Sequence, residues 1–295
     1  MTLADAGSTP APSWNLVDDV HQLLSFHFMV NAFRAGTIVA VVAGVVGWFV
    51  VLRRQAFAAH TLSLVGFPGA AGALWLGASA TVGYFGACAA GAVLVALARG
   101  DGGDGDATEA AVIGTFQSFA LAAGFLFVTL YSGFLTGVEA LLFGSFLGIT
   151  DAQVLALAAV ALAALAVVAL TGRRLLFASV DPDVAAAAGI GARRLGVAFL
   201  IVLGLAVGAA SQITGSLLVF ALLIAPPATA HLLTARPVAG LTLSVALGLA
   251  TVWLALAAAY YSNRPVGFWV TSIAFVGYLG ARTGRWARER RAARA

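Results

Sequence analysis

The chain contains no lysine: all sixteen basic residues among its 295 are arginine. That absence excludes a G-x-x-x-x-G-K-[ST] phosphate loop, so this chain cannot bind ATP in the usual P-loop manner. There is one cysteine, Cys88, which excludes an intramolecular disulfide and any cysteine-based metal cluster. It lies in an apolar run and reads as a small buried residue. Charged residues make up only 9% of the chain, against roughly 25% in soluble domains. There is no H-E-x-x-H, no C-x-x-C, and no serine, histidine and acid set at plausible membrane depth, which leaves an intramembrane hydrolase poorly supported.

What remains is apolar. A hydrophobic content of 61% and a mean hydropathy of +1.00 mark a polytopic membrane protein. Runs of about 17 to 25 apolar residues cross a bilayer as helices, because a helix satisfies its own backbone polar groups without water. Nine such runs are present: Asn31 to Leu52, Phe57 to Ala80, Val82 to Ala98, Ala111 to Tyr131, Gln153 to Thr171, Leu195 to Gln212, Gly215 to Leu233, Val238 to Tyr260 and Val266 to Ala281. The expected fold is therefore all-α, a polytopic bundle of about 8–10 transmembrane helices. Ser132 to Thr150, with its GxxxG pairs and Glu139, reads as a re-entrant or interfacial element. One membrane domain over residues 31–281 is the economical division, with an extracytoplasmic or interfacial segment over 1–30 and a basic cytoplasmic tail over 282–295. Trp14 to Phe28 looks like an interfacial lead-in helix, and the first thirty residues lack the basic start of a cleavable signal peptide.

Arginine sets the orientation. With the amino end outside, fourteen of the sixteen arginines fall inside and only Arg34 and Arg264 fall outside. That is the bias expected of short cytoplasmic loops. The pI near 9.8 thus reports topology and anionic lipid, not a nucleic-acid surface. The acidic turn Gly100 to Glu109 lacks the ligand register of a calcium loop and reads as a solvated connection. Small residues recur at four-residue spacing, as in Gly36, Ala40 and Gly44, in Gly133 and Gly137, in Gly144 and Gly148, and in Gly204 and Gly208. Such faces serve packing within one chain or between two copies, and spacing alone does not separate these.

The water-facing loop Phe177 to Arg194 reads FASVDPDVAAAAGIGARR and is bracketed by paired arginines at Arg173, Arg174, Arg193 and Arg194. An Asp-Pro start, an alanine-rich turn and a half, and a Gly-Ile-Gly stop describe a short helix presented between two spans. Such a helix is usually there to be pushed by a partner chain.

Ionisable groups inside spans cost about 2.5 to 3.5 kcal/mol on insertion scales, so each needs a reason. His60 lies near the start of the second span, beside Gly66, Pro68 and Gly69. A neutral imidazole suits zinc and other first-row divalent metals. A structural hydrogen bond and a substrate contact both remain open for it. His231, closing the seventh span, reads as interfacial. Pro226 and Pro227 interrupt that span, each removing a backbone donor and freeing a carbonyl one turn back. Interrupted helices often line transport pathways, although a packing kink uses the same residues.

Four stretches together resemble one family, the permease subunits of zinc, manganese and iron ABC importers, also called type 3 ABC permeases. They are FVVLRRQAFAAHTLSLVGFPGAAGA, ALLFGSFLGIT, FASVDPDVAAAAGI and GSLLVFALLIAPPATAHLLT, in the family's order over most of residues 28 to 281. The resemblance implies a type II importer-like homodimeric permease without an ATPase site of its own and with no stably bound cofactor. It implies a cytoplasmic ATPase dimer, holding the ATP, docked on Asp181, Pro182, Asp183, Ala188, Gly189 and Ile190. It further implies an extracytoplasmic metal-binding protein that delivers a divalent metal ion, and a multi-pass place in the cell membrane. The family commonly carries an aspartate and, four residues later, a histidine that contact the metal; the matching positions here are His60 and Leu64. His60 is the candidate metal contact, and Pro68, Pro226 and Pro227 are the candidate pathway kinks. The readings set against this one are an ion-coupled secondary transporter, a siderophore or cobalamin-type ABC permease, and a membrane scaffold or enzyme without transport. An ion-driven carrier needs titratable or sodium-coordinating groups near mid-membrane, and these spans have almost none.

Overall fold

The computed structural model describes residues 15–98, 106–131, 148–262 and 264–292. Its helices are α1 (Leu16–Leu24), α2 (His27–Leu52), α3 (Ala56–Trp75), α4 (Ala80–Ala98), α5 (Asp106–Leu130), α6 (Asp151–Val180), α7 (Pro182–Ala187), α8 (Ala192–Thr214), α9 (Ser216–Leu233), α10 (Pro237–Ser262) and α11 (Val266–Ala292). The described residues contain no strand. Seven helices, α2 to α6, α8 and α10, are long and apolar enough to cross a membrane. The other two expected spans are also helical: α9 holds a shorter apolar run, Leu218–Leu233, and α11 continues beyond Ala281 into the arginine-rich tail.

Several boundaries differ from the sequence reading, each for a local reason. The lead-in helix ends at Leu24 and a second helix starts at His27, so the first span takes in polar residues that find partners across the bundle. Helix α6 begins at Asp151 because Thr150 and Gln153 form a reciprocal capping box, and it runs past Thr171 to Val180. At 1.5 Å per residue its 30 residues span about 45 Å, well beyond the roughly 30 Å hydrocarbon core. Helix α5 starts at Asp106 and so takes up the end of the stretch read as an acidic loop. Residues 132–147 lie outside the described residues, so Glu139 and the re-entrant segment are not placed.

Helix α2 is the central post, buried along much of its length and packed against α10, α9 and α6. Helix α3 packs on α4, α5 and α8. Peripheral helices expose apolar side chains: only 17% of the spanning window of α5 and 22% of that of α6 is buried, against 67% for α2. On α6, Leu155, Leu162 and Leu170 are exposed, as a lipid-facing surface requires.

Two of the small-residue stripes, on α2 and α8, resolve into seams within the chain; the Gly133–Gly137 pair and Gly144 lie outside the described residues. A Cβ added at Gly36 would lie 2.6 Å from Val252 Cγ1, and one at Gly44 would lie 2.8 Å from Val245 Cα, so this stripe of α2 faces α10. The Ser244 hydroxyl donates to the Gly44 carbonyl across that seam at 2.8 Å. Gly204 and Gly208 face Cys88 on α4. Gly69 and Gly83 oppose each other between α3 and α4, where a Cβ on either would strike the other's carbonyl oxygen. Gly47 is equally constrained, because a Cβ there would meet the Leu223 carbonyl oxygen and lie 2.9 Å from Pro227 Cγ on α9.

Gly47→Ala should therefore push α2 from α9 and cost about 1–3 kcal/mol, the usual cost of overpacking. Gly86→Ala, where nothing lies within 4 Å, should leave stability unchanged or raise it by up to about 1 kcal/mol, since alanine favours a helix interior over glycine. Thermal unfolding of the two variants in detergent checks this, and equal midpoints would show that the seam yields without cost.

Candidate functional site

The exposed loop holds a compact device. Asp181 is the N-cap of α7, its carboxylate accepting from the Val184 amide at 3.0 Å, and Pro182 occupies the first helical position where no donor is needed. The helix stops by a paired-carbonyl cap: the Ile190 amide donates to the Ala185 carbonyl at 2.9 Å and the Gly189 amide to the Ala186 carbonyl at 3.0 Å. That cap needs a residue with positive φ, and Gly189 supplies it at +73°. Ala185 is fully buried while Val184, at 50% exposure, and its neighbours from Ala186 to Gly189 face outward. The six residues of Pro182–Ala187 are thus fixed at both ends and open on one face. All six loop residues singled out in the sequence belong to this unit.

His60 sits on the second turn of α3, half-buried, with its ring 4.5 Å from that of Phe220 on α9. Its Nδ1 is buried and has no hydrogen-bond partner among the described residues. A buried polar nitrogen without a partner is rare and calls for an explanation. Leu64 lies one turn further along the same helix. Among the described residues, no three histidine, cysteine or acidic side chains gather as a metal cluster.

The prolines are buried within helices that remain continuous, so the pair at 226–227 does not break α9 as the sequence suggested. Each still deletes an amide that would reach back four residues, at Leu64 for Pro68 and at Leu222 and Leu223 for Pro226 and Pro227. The Leu223 carbonyl faces Gly47 of α2, and Pro68 packs against Gly124 of α5. The structure brings His60 and the Pro226–Pro227 pair onto α3 and α9, linked through Phe220, but does not place them in one cluster.

His231, read as interfacial, is packed against α2 near the end of α9. Its ring stacks on Trp48 at 5.0 Å, and its Nε2 lies 3.1 Å from the Trp48 carbonyl oxygen. A carbonyl only accepts, so that nitrogen carries the proton. Cys88 is buried as expected, its thiol 3.8 Å from the Leu62 carbonyl oxygen.

Two polar groupings escaped the sequence reading. At the start of α2, His27 Nε2 lies 3.1 Å from Asp151 Oδ2, Arg34 approaches the same carboxylate at 3.7 Å, and the Asn31 amide donates to the Ile149 carbonyl at 3.1 Å. The exposed ion pairs contribute at most about 1 kcal/mol each. The T-D-A-Q pattern from Thr150 to Gln153 was the readable signal for this corner. At the other end of α2, the Arg53 guanidinium donates to the Ser179 hydroxyl at 3.0 Å. No local pattern announces that contact.

The model of the ABC 3 transport family matches residues 25–283. The chain is 34% identical over 251 residues to a manganese transport system membrane protein, MntC, of Halalkalibacterium halodurans, covering 84% of this chain and 83% of that one. It is 29% identical over 260 residues to a chelated iron transport system membrane protein, YfeC, of Yersinia pestis, covering 88% and 87%. Among solved structures, PsaBC from Streptococcus pneumoniae in complex with Fab superposes with a TM-score of 0.79 at 26% identity, over 90% of this chain and 94% of that one. The multi-pass helical bundle and the family match over most of its length agree, and the chain belongs to the ABC 3 transport family.

Proposed function

We propose that this chain is the permease subunit of an ATP-driven importer of a divalent transition metal ion, and that a separate ATPase drives its alternating access. The observation that carries the reading is α7: a short helix, capped at both ends and exposed, held at the tip of a span too long for the bilayer. A rigid exposed element transmits force from a partner, whereas a flexible connection would absorb it. The arginine distribution puts this end in the cytoplasm, with the amino terminus outside. With no lysine for a phosphate loop, the nucleotide belongs to the partner.

Two copies of the permease, two ATPases and an extracytoplasmic metal-binding protein form the working unit in this reading. The names of the similar proteins favour manganese or iron over zinc as the cargo. His60 supplies a nitrogen ligand near α9 through its unpartnered Nδ1, and the carbonyls freed by Pro68, Pro226 and Pro227 give the surrounding helices a place to bend. One nitrogen ligand suits a transient stop, since a closed cage would hold the ion. The ion-coupled carrier is not favoured, because the spans offer it few titratable groups.

His60→Ala should lower manganese uptake per folded molecule by about tenfold, the scale of a lost contact to a charged partner. Uptake in vesicles containing the partner proteins, normalised to folded permease, measures it; unchanged uptake returns His60 to a packing role against Phe220. At the loop, Gly189→Val places a β-branched residue at positive φ, a strain of about 1–2 kcal/mol, and should uncouple ATP hydrolysis from uptake while insertion and dimerisation persist. Gly189→Asn tolerates that conformation and should keep coupling. Normal coupled uptake by the valine variant would sink the docking idea.

A further inference from the structure

Between α7 and the helix carrying His60 stands Arg53, whose backbone leads into α3 and whose side chain reaches the helices flanking α7. It closes α2, its own amide donating to the Phe49 carbonyl at 2.9 Å. The next two residues make a tight turn: the Arg54 amide donates to Val51 at 3.1 Å, the Gln55 amide to Val50 at 2.9 Å, and Arg54 takes φ +55°. This is the same paired-carbonyl cap that ends α7. Gln55 is 2% exposed, and its carbonyl accepts from Ala59 at 3.0 Å in the first turn of α3. The backbone from Arg53 into α3 is consequently short and hydrogen-bonded throughout, with His60 only one residue beyond Ala59.

The side chain reaches the other way. Arg53 Nη1 donates to Ser179 Oγ at 3.0 Å, two residues before the Asp181 cap of α7, and Ser179 passes its own hydrogen to the Leu175 carbonyl. The guanidinium also lies over the Phe199 ring, 5.7 Å from its centroid, on α8. Gly196 makes room for it, since a Cβ there would lie 3.3 Å from Arg53 Nη2. One half-buried cation thus touches both helices that flank α7. A partly desolvated guanidinium is costly to leave without its partners, so the contacts move as a unit instead of slipping.

We infer that Arg53 is a positioning residue for transport: it ties the shoulders of α7, at Ser179 and Phe199, to the α2–α3 turn, so that displacement of the loop helix is passed to the helix bearing His60. The inference rests on the docking reading above. Direct packing of α8 on α3 is a parallel route, and the two are separated by Ser179→Ala, which removes the hydroxyl on α6 and leaves the α8–α3 contact intact.

The test uses the full complex in vesicles, with radiolabelled manganese uptake and phosphate release measured on the same preparation. The number of ions imported per ATP hydrolysed should fall by about tenfold or more in Arg53→Ala, and by about threefold in Ser179→Ala, where a neutral acceptor is lost. Arg53→Lys keeps the charge and one donor but not the flat fork, and should recover part of the ratio. A loss of folded protein lowers uptake and hydrolysis together, so a purely structural role does not change the ratio. A wild-type ratio in both Arg53→Ala and Ser179→Ala overturns the inference, and Ser179→Ala alone decides it where Arg53→Ala does not fold. Absence of ATP-dependent uptake by the wild-type complex overturns the docking reading, and this inference with it.

Discussion

Backbone-to-backbone approach across α2 is the constraint on which the rest of the structure depends. Lipid gives helices no hydrophobic reason to associate, so the bundle must gain its stability from dispersion and from hydrogen bonds at short range. Gly36 and Gly44 let α10 come close on one side, Gly47 admits α9 on another, and the Ser244 hydroxyl locks the first seam to a backbone carbonyl. The facing glycines Gly69 and Gly83 do the same for α3 and α4. Larger residues at these points would separate the helices and open gaps that neither lipid nor water fills favourably.

A bundle held in this way concentrates its polar contacts at its ends. One end of α2 carries His27, Asn31 and Arg34 against Asp151 and Ile149; the other carries Arg53 against Ser179 and Phe199. Both groupings tie α2 to α6, the helix whose excess length projects α7 beyond the membrane. Helix α6 is thus pinned at its two ends by polar contacts, with one face between them packed on the bundle and the other open to lipid. In the proposed mechanism a push on α7 meets a lever with defined attachments, and Arg53 is the attachment nearest the push.

The fold class and the identity of the spans were legible because apolar run length is a strong signal, and all nine expected spans are helices. Their ends were harder to read. Hydropathy stops at Thr171, but helix geometry does not, since arginine and leucine continue α6 to Val180 without cost. His27 was read into the lead-in helix and not into the first span, because its partner Asp151 lies more than a hundred residues away. The loop helix could be read almost residue by residue, because its caps are local: Asp181 and Pro182 at one end of α7 and Gly189 at the other lie in one short stretch of sequence. The packing of His231 was not legible for the opposite reason, as its hydrogen bond is to a carbonyl on α2. Arg53 counted only toward orientation, because a charge tally cannot see Ser179.

The sparse interior bears on where cargo is chosen. An imidazole beside an aromatic ring discriminates weakly among first-row divalent metals, whose affinities for one nitrogen ligand follow a common order set by the metal. The resemblance implies an acid and a histidine one turn apart; this chain offers His60 and Leu64, and so gives up the carboxylate that would favour the harder ions. In the proposed importer, selection then falls mainly to the protein that delivers the ion. The permease itself requires a contact weak enough to be left within one cycle. A lone, buried and otherwise unpartnered nitrogen at the α3–α9 contact fits that requirement better than a full ligand set would.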